Sequence, residues 1–331
     1  MERGKRITLK DIAAKTGYTI NTISRALKDK TDISFETRKN IREAAKELGY
    51  VGDSAASSLR SGKTRTVAVI IGDISNLFFG SLVRDIELAM QEKGYTIIIY
   101  STGEHTEWER KAILSAYSRR VDGIILCPVQ ETRDNILFLQ NLGIPFVLVG
   151  RYFKDIQSDA IVWDDVKAGE LAAGYLIGLG HVNILYIGGP LYISSGTDRL
   201  QGYRNAHKKN GIPVNENMIR ITNITAGASS EAILQVLRES LPFTAIVAFS
   251  DLMAYEILYT LEKHAKNRYS HISIASFDDI REKIMLPVNF PSIRCIENES
   301  LVCVDILMQK MHNNWKNKPA VRFLDVEMRY S

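Results

Sequence analysis

The sequence predicts an α/β protein in which a small three-helix head precedes a two-lobed core built on parallel sheets. Three observations carry this. At 331 residues the chain exceeds one ordinary domain. Its hydrophobic pattern changes near residue 66, from helical spacing to short β-rich runs separated by amphipathic segments. Its charge is also divided. Residues 1–65 hold 15 Lys/Arg against 8 Asp/Glu, and the rest hold 27 against 30, so a basic head suited to a polyanion sits on a slightly acidic body.

The composition, 45% hydrophobic and 24% charged, is that of a globular chain. No stretch approaches the ~18 uninterrupted apolar residues of a membrane span. The start, Met1-Glu2-Arg3-Gly4-Lys5-Arg6, lacks the apolar region of a secretory signal, so a cytoplasmic location is expected. Cys127, Cys295 and Cys303 are far apart and in no metal-like spacing. They read as reduced thiols, with neither metal nor cofactor expected.

In the head, residues 1–50, the first helix begins at Thr8, with Asp11 in capping-box position and Leu9, Ile12 and Ala13 on one face. Gly17 suits a turn that needs positive φ. Thr19 caps a second helix, Ile20 to Leu27, and a third starts at Ser34, carries Ile41, Ala44, Ala45 and Leu48, and stops at Gly49. On the second helix Ile23, Ala26 and Leu27 face inward, while Ile20, Asn21, Ser24 and Arg25 share the outer side. Such a face offers an amide for adenine, a guanidinium for guanine and an alkyl group for a thymine methyl. Spacing alone equally allows a solvated polar face.

From Thr66 onward the β-rich runs are Val67–Ile71, Thr96–Tyr100, Gly123–Cys127, Phe146–Val149, Ile184–Ile187, Ala245–Phe249 and Ile272–Ser276. Amphipathic segments of helical length separate them, which is the pattern of βαβ units, numerous enough for two sheets. Gly62-Lys63-Thr64 is not a phosphate-binding loop, because Ser57 stands where that loop needs glycine.

Thr8-Leu9-Lys10-Asp11-Ile12-Ala13, Gly17-Tyr18-Thr19-Ile20-Asn21-Thr22-Ile23-Ser24-Arg25-Ala26-Leu27, Thr37-Arg38 and Leu48-Gly49-Tyr50 resemble the head of the lactose-repressor (LacI/GalR) family. The resemblance extends through the core, at Gly72-Asp73-Ile74-Ser75-Asn76, Arg199-Leu200-Gln201-Gly202-Tyr203 and Ser276-Phe277-Asp278-Asp279. It implies a helix-turn-helix regulator with a periplasmic-binding-protein-like core, working as a homodimer on a near-palindromic operator. Ile20, Asn21 and Arg25 would read bases, with Thr19, Thr22 and Ser24 contacting phosphate or supporting the helix. Residues 51–65 would form a hinge whose Ala56, Leu59 and Arg60 meet the minor groove. That hinge departs from the family pattern at Gly52, Asp53 and Ser57. The core, 66–331, would comprise one lobe at about 66–163 and 293–321 and a second at about 164–292 and 322–331.

Carried over from the family, the effector contacts would be Phe78, Phe79, Arg151, Ser195, Arg199, Ser250, Asp251 and Asp278. Aromatic faces beside Arg199 and Asp278 suit a sugar, and Arg151 would also admit a carboxylate or phosphate. Ile224 occupies a place where some relatives stack an aromatic ring on the effector. Plainer readings exist for several of these: Asp278 or Asp279 as the cap of a helix at Ile280, Arg199 as a structural ion pair, and Phe78 and Phe79 as core. His181 reads as a structural turn residue.

A transport or receptor protein with the same core would be exported and would lack the head. The sequence carries no HExxH, GxSxG or GxGxxG pattern, so no enzyme is expected. No heptad extension follows Met328-Arg329-Tyr330-Ser331, which favours a dimer over a tethered tetramer.

Overall fold

The computed structural model describes residues 7–52, 62–269, 272–282, 290–313, 315 and 317–330. The chain divides into two compact units, Met1–Thr64 and Arg65–Ser331. In the first, helices α1 (Leu9–Thr16), α2 (Ile20–Leu27) and α3 (Phe35–Glu47) stand where the capping residues place them. The Thr8 amide and hydroxyl both donate to Asp11 Oδ2, at 2.8 and 2.7 Å. Thr19 Oγ1 accepts from the Thr22 amide and Ser34 Oγ from the Thr37 amide, each at 3.2 Å. Ile12, Ile23, Ala26, Ile41, Ala44 and Ala45 are buried together, so each helix contributes to one small core. The hinge residues Ala56, Leu59 and Arg60, with Asp53 and Ser57, lie outside the described residues.

The second unit holds two six-stranded sheets. The first contains β1 (Thr66–Ile71), β2 (Thr96–Ser101), β3 (Gly123–Leu126), β4 (Phe146–Val149), β5 (Ala160–Trp163) and β11 (Val321–Leu324), ordered β11-β5-β4-β3-β1-β2. All its pairings are parallel. The second contains β6 (Ile184–Gly188), β7 (Ile219–Ile221), β8 (Ala245–Ala248), β9 (Ser273–Phe277), β10 (Ser292–Cys295) and β12 (Val326–Arg329), ordered β12-β10-β9-β8-β6-β7. Among the described residues, only the β12–β10 edge is antiparallel.

Both faces of each sheet are covered, as parallel strands require. Val67, Val69 and Ile71 point to one side, under α4 (Leu77–Glu92) and α11 (Glu299–Met311). Ala68 and Ile70 point to the other, under α5 (Thr106–Ser118) and α6 (Asp134–Leu142). In the second sheet Leu185 and Ile187 alternate with Ile184 and Tyr186 in the same way. There α7 (Asp165–Gly178) and α8 (Ser194–Lys209) cover one face, and α9 (Ala228–Arg238) and α10 (Asp251–Tyr269) the other.

The chain leaves the first sheet after Trp163, re-enters its lobe after Cys295, and passes through Asp325 into β12. The second and third crossings therefore lie a few residues beyond the expected 292 and 321. The approximate boundaries thus differ from the strand ends by three residues at each of these crossings. Strands β10 and β11 are only four residues long and include Arg294 and Arg322, so they present no apolar run to mark where they end. Among the described residues, no helix is long and apolar enough to cross a membrane.

Candidate functional site

On α2 the inward face is closed, with Ile23 and Ala26 fully buried. Outward, Ile20 is 44% exposed, and Asn21 and Arg25 are exposed beside it. Thr19 and Thr22 share a hydroxyl–hydroxyl bond of 2.9 Å, which fixes the first turn of the helix. Arg25 is held in an exposed ion pair with Asp32. The face thus offers one apolar, one amide and one guanidinium group on a single capped helix.

In the core a cavity of about 600 Å³ opens at the carboxyl ends of the strands of both sheets, the place where ligands enter such folds. Phe78 and Phe79 come from the first turn of α4, where Asn76 Oδ1 accepts from the Phe78 amide at 3.0 Å. Phe78 packs edge-on against Phe79 and Trp163, with centroids 5.4 and 5.9 Å away. The backbone turns through Gly150, at φ 71, to bring Arg151 off the end of β4. Arg151 Nη1 and Nη2 donate to the two oxygens of Glu104 at 2.7 and 2.9 Å, and Nη1 also reaches the Pro128 carbonyl at 3.0 Å.

From the second lobe come Ser195 and Arg199 on α8. Arg199 Nε donates to Asp165 at 2.7 Å and Nη1 to the Phe249 carbonyl at 2.6 Å. Its guanidinium lies over the rings of Phe277 and Phe249, at 4.3 and 4.7 Å from their centroids. Burial pushes the Asp165 carboxyl up despite the arginine beside it.

Asp278 follows β9 at φ 102, a conformation that costs a non-glycine residue strain and is kept where the surroundings enforce it. Burial raises its pKa well above the ordinary carboxylate range, with Arg199 opposing. Ser250 Oγ accepts from the Met253 amide at 3.3 Å and so caps α10 at the rim.

Of the eight residues expected to meet an effector, seven line this cavity, and Asp251 does not. Its carboxylate is fully buried and accepts from the hydroxyls of Ser276 and Ser292 and from the Ile280 amide. Three inward bonds leave it no path to the cavity, so it ties β9, β10 and the turn at Ile280 together. It, and not Asp278 or Asp279, supplies the acceptor for Ile280. Asp279 instead pairs with Arg281 and Arg329. His181 bridges Thr244 and Ser273, at 3.0 and 2.9 Å. Ile224 is in the lining, and so are Glu104, Trp163, Asp165 and Glu299, which the sequence reading passed over. A signal existed for two of them: Glu104 and Asp165 are acids directly following β2 and β5, where the cavity had to form.

The family model of bacterial regulatory proteins of the lacI family matches residues 8–53, and that of periplasmic binding proteins and the sugar-binding domain of the LacI family matches residues 64–282. The chain belongs to the LacI family. Its head and core therefore form a transcriptional regulator, with a helix-turn-helix DNA-binding domain and a domain of the sugar-binding type, and the receptor reading is set aside. Among relatives of this LacI-family regulator, the HTH-type transcriptional regulator DegA of Bacillus subtilis is 30% identical over 83% of this chain and 82% of its own. The probable HTH-type transcriptional regulator EndR of Paenibacillus polymyxa is 32% identical over 95% of each chain. The fold matches that of the Lac repressor dimer bound to operator and the anti-inducer ONPF, with a TM-score of 0.84 at 20% identity over 98% of each chain. It also matches that of a transcriptional regulator CelR–cellobiose complex, at 0.71 and 24% over the same shares.

In this LacI-family chain the two lobes are joined directly beside the cavity. Gln130 donates to the Tyr152 carbonyl at 2.7 Å and accepts from the Ser194 amide at 2.8 Å. Ser194 Oγ accepts from the Tyr152 amide at 3.1 Å, and the Tyr152 hydroxyl donates to Asp198 at 2.9 Å. Gln130 and Tyr152 follow strands of the first lobe, while Ser194 and Asp198 sit on α8 of the second. Anything that changes the lobe angle must break or re-form this set.

Proposed function

We propose that this regulator binds a near-palindromic operator as a homodimer, and that an uncharged sugar in the core cavity controls its operator affinity. The observation that carries the ligand half is the lining itself. Aromatic faces at Phe78, Phe79 and Trp163 stand beside Arg199 and the strained Asp278, in a cavity of a size that takes small ligands. The faces suit the apolar side of a pyranose, and Asp278 is placed to accept from its hydroxyls. A sugar gripped from both lobes favours one lobe angle, and coupling of that kind shifts DNA affinity by about 1–3 kcal/mol. The regulator works in the cytoplasm, where its operator is, and binds its effector without chemistry, in keeping with relatives that are transcriptional regulators.

A thermal-shift panel of neutral sugars against the full chain tests this. A stabilising sugar is expected, its effect lost in Asp278→Ala and its addition changing operator affinity. A sugar that stabilises both proteins equally would place the site elsewhere.

On DNA, Ile20, Asn21 and Arg25 read bases in the major groove, and Thr19, Thr22 and Ser24 hold the helix to the phosphates. Asp32 keeps the Arg25 guanidinium on the outer face of α2. Arg25→Ala is expected to cost about 1–3 kcal/mol on the cognate operator and to relax preference at one base pair. Competition titrations with single-base operator variants measure this. An equal loss on random DNA would assign Arg25 to phosphate alone.

A further inference from the structure

We propose that Glu104 sets the charge selectivity of the cavity: by occupying Arg151 it excludes anionic effectors and leaves a site for uncharged polyols. The inference rests on the cavity being the effector site. Among the described lining residues the cations are Arg151 and Arg199, and the acidic side chains are Asp73, Glu104, Asp165, Glu256, Asp278 and Glu299. Both arginines are already paired. Arg199 gives Nε to Asp165 and Nη1 to the Phe249 carbonyl. Arg151 gives both terminal nitrogens to Glu104, in the two-pronged geometry that a phosphate or carboxylate ligand would otherwise take. Among the described lining residues an entering anion would therefore find no cation without a partner to offset the hydration it sheds.

The pair is built into the fold. Arg151 is 6% exposed and Glu104 16%, so the pair is largely shielded from solvent at the cavity wall. Glu104 holds a left-handed backbone, φ 61, in the turn after β2. Its carboxylate lies where a side chain at Gly72 would displace it, since a Cβ there would stand 2.2 Å from Oε1. A left-handed turn at Glu104 and the missing side chain at Gly72 thus converge on placing one carboxylate against one guanidinium. Asp278, across the cavity, accepts no side-chain hydrogen bond among the described residues, and a neutral hydroxyl satisfies it without adding charge.

Glu104→Gln removes the charge with little change of shape, leaving Arg151 with an uncompensated charge and a spare donor. Full-length wild type and Glu104→Gln are titrated with inorganic phosphate, glucose 6-phosphate and gluconate at constant ionic strength. Wild type is expected to show no saturable binding to its core, and Glu104→Gln to bind phosphate at least about tenfold tighter, a gain abolished by Arg151→Gln in the same chain. Any phosphate held by the basic head is common to all variants and cancels. Gly72→Ala is the second variant, which keeps the charge and displaces the carboxylate, and it is expected to give a smaller gain of the same sign. Should Glu104→Gln fail to fold, Gly72→Ala and the wild-type titration still decide. Wild-type binding of anions in the cavity, or no gain in either variant, overturns the proposal. The anion gain is read whether or not any neutral sugar binds, so its failure is separate from failure of the sugar reading.

Discussion

Replacing Arg199 by methionine is expected to lower the stability of the core by about 3–5 kcal/mol, the usual consequence of removing one partner from a buried ion pair. Both side chains are under a tenth exposed. Methionine fills much of the volume between the Phe249 and Phe277 rings, so the loss is electrostatic more than a cavity effect. It leaves Asp165 without its cation, close enough to Asp278 for their charges to interact, and the Phe249 carbonyl without its donor. Urea unfolding of the core transition measures the change. The double variant Arg199→Met with Asp165→Asn is expected to recover a large part of it, because the orphaned charge is gone. A loss below about 1 kcal/mol, the range of surface pairs, would show that solvent reaches the pair and that its role is confined to ligand.

The same residue shows what the sequence could and could not disclose. Arg199 was legible as a family position, and two readings stood open, ligand contact and structural ion pair. The structure places it in the cavity lining and in an ion pair at once, because its partner Asp165 begins α7, 34 positions earlier. Long strands such as Thr66–Ile71 and Ile184–Gly188 were legible from their unbroken apolar runs. Strands β5, β7 and β10 to β12 span three or four residues, and most owe their existence to a neighbour in the sheet. Asp251 lies outside the cavity lining for a related reason. Nothing local says that an acid heading a helix faces Ser276 and Ser292 and not the cavity; that is decided by the packing of β9 and β10 under it. Glu104 was signalled as an acid after β2, but its close seat against Gly72, from the neighbouring strand end, was a non-local fact.

The core is also expected to lose stability as the pH rises through neutrality, with Glu299 as a main cause. Burial pushes this carboxyl up to about 7, against the indole donor of Trp163, and Asp165 adds to the rise. Glu109 is likewise raised to about 7 by burial, with the Val129 amide and Asn135 opposing. A carboxyl whose folded pKa lies above its unfolded value binds its proton more tightly in the folded state. Its contribution is therefore complete below about pH 4.5 and is lost as the pH climbs through about 7. For Glu299 alone the span corresponds to about 3 kcal/mol, at about 1.4 kcal/mol per pH unit. His207, whose pKa burial lowers, acts in the opposite sense over part of the same range. The readout is therefore the difference between wild type and Glu299→Gln, whose amide oxygen still accepts from Trp163. The two proteins are expected to be similar near pH 5, with the variant gaining on wild type by pH 8 until it is the more stable. A pH-independent difference would mean that Glu299 is ionised throughout. In that case Arg199 would be stabilising Glu299 along with Asp165 and Asp278, and the cavity would hold a net negative charge before any ligand arrives.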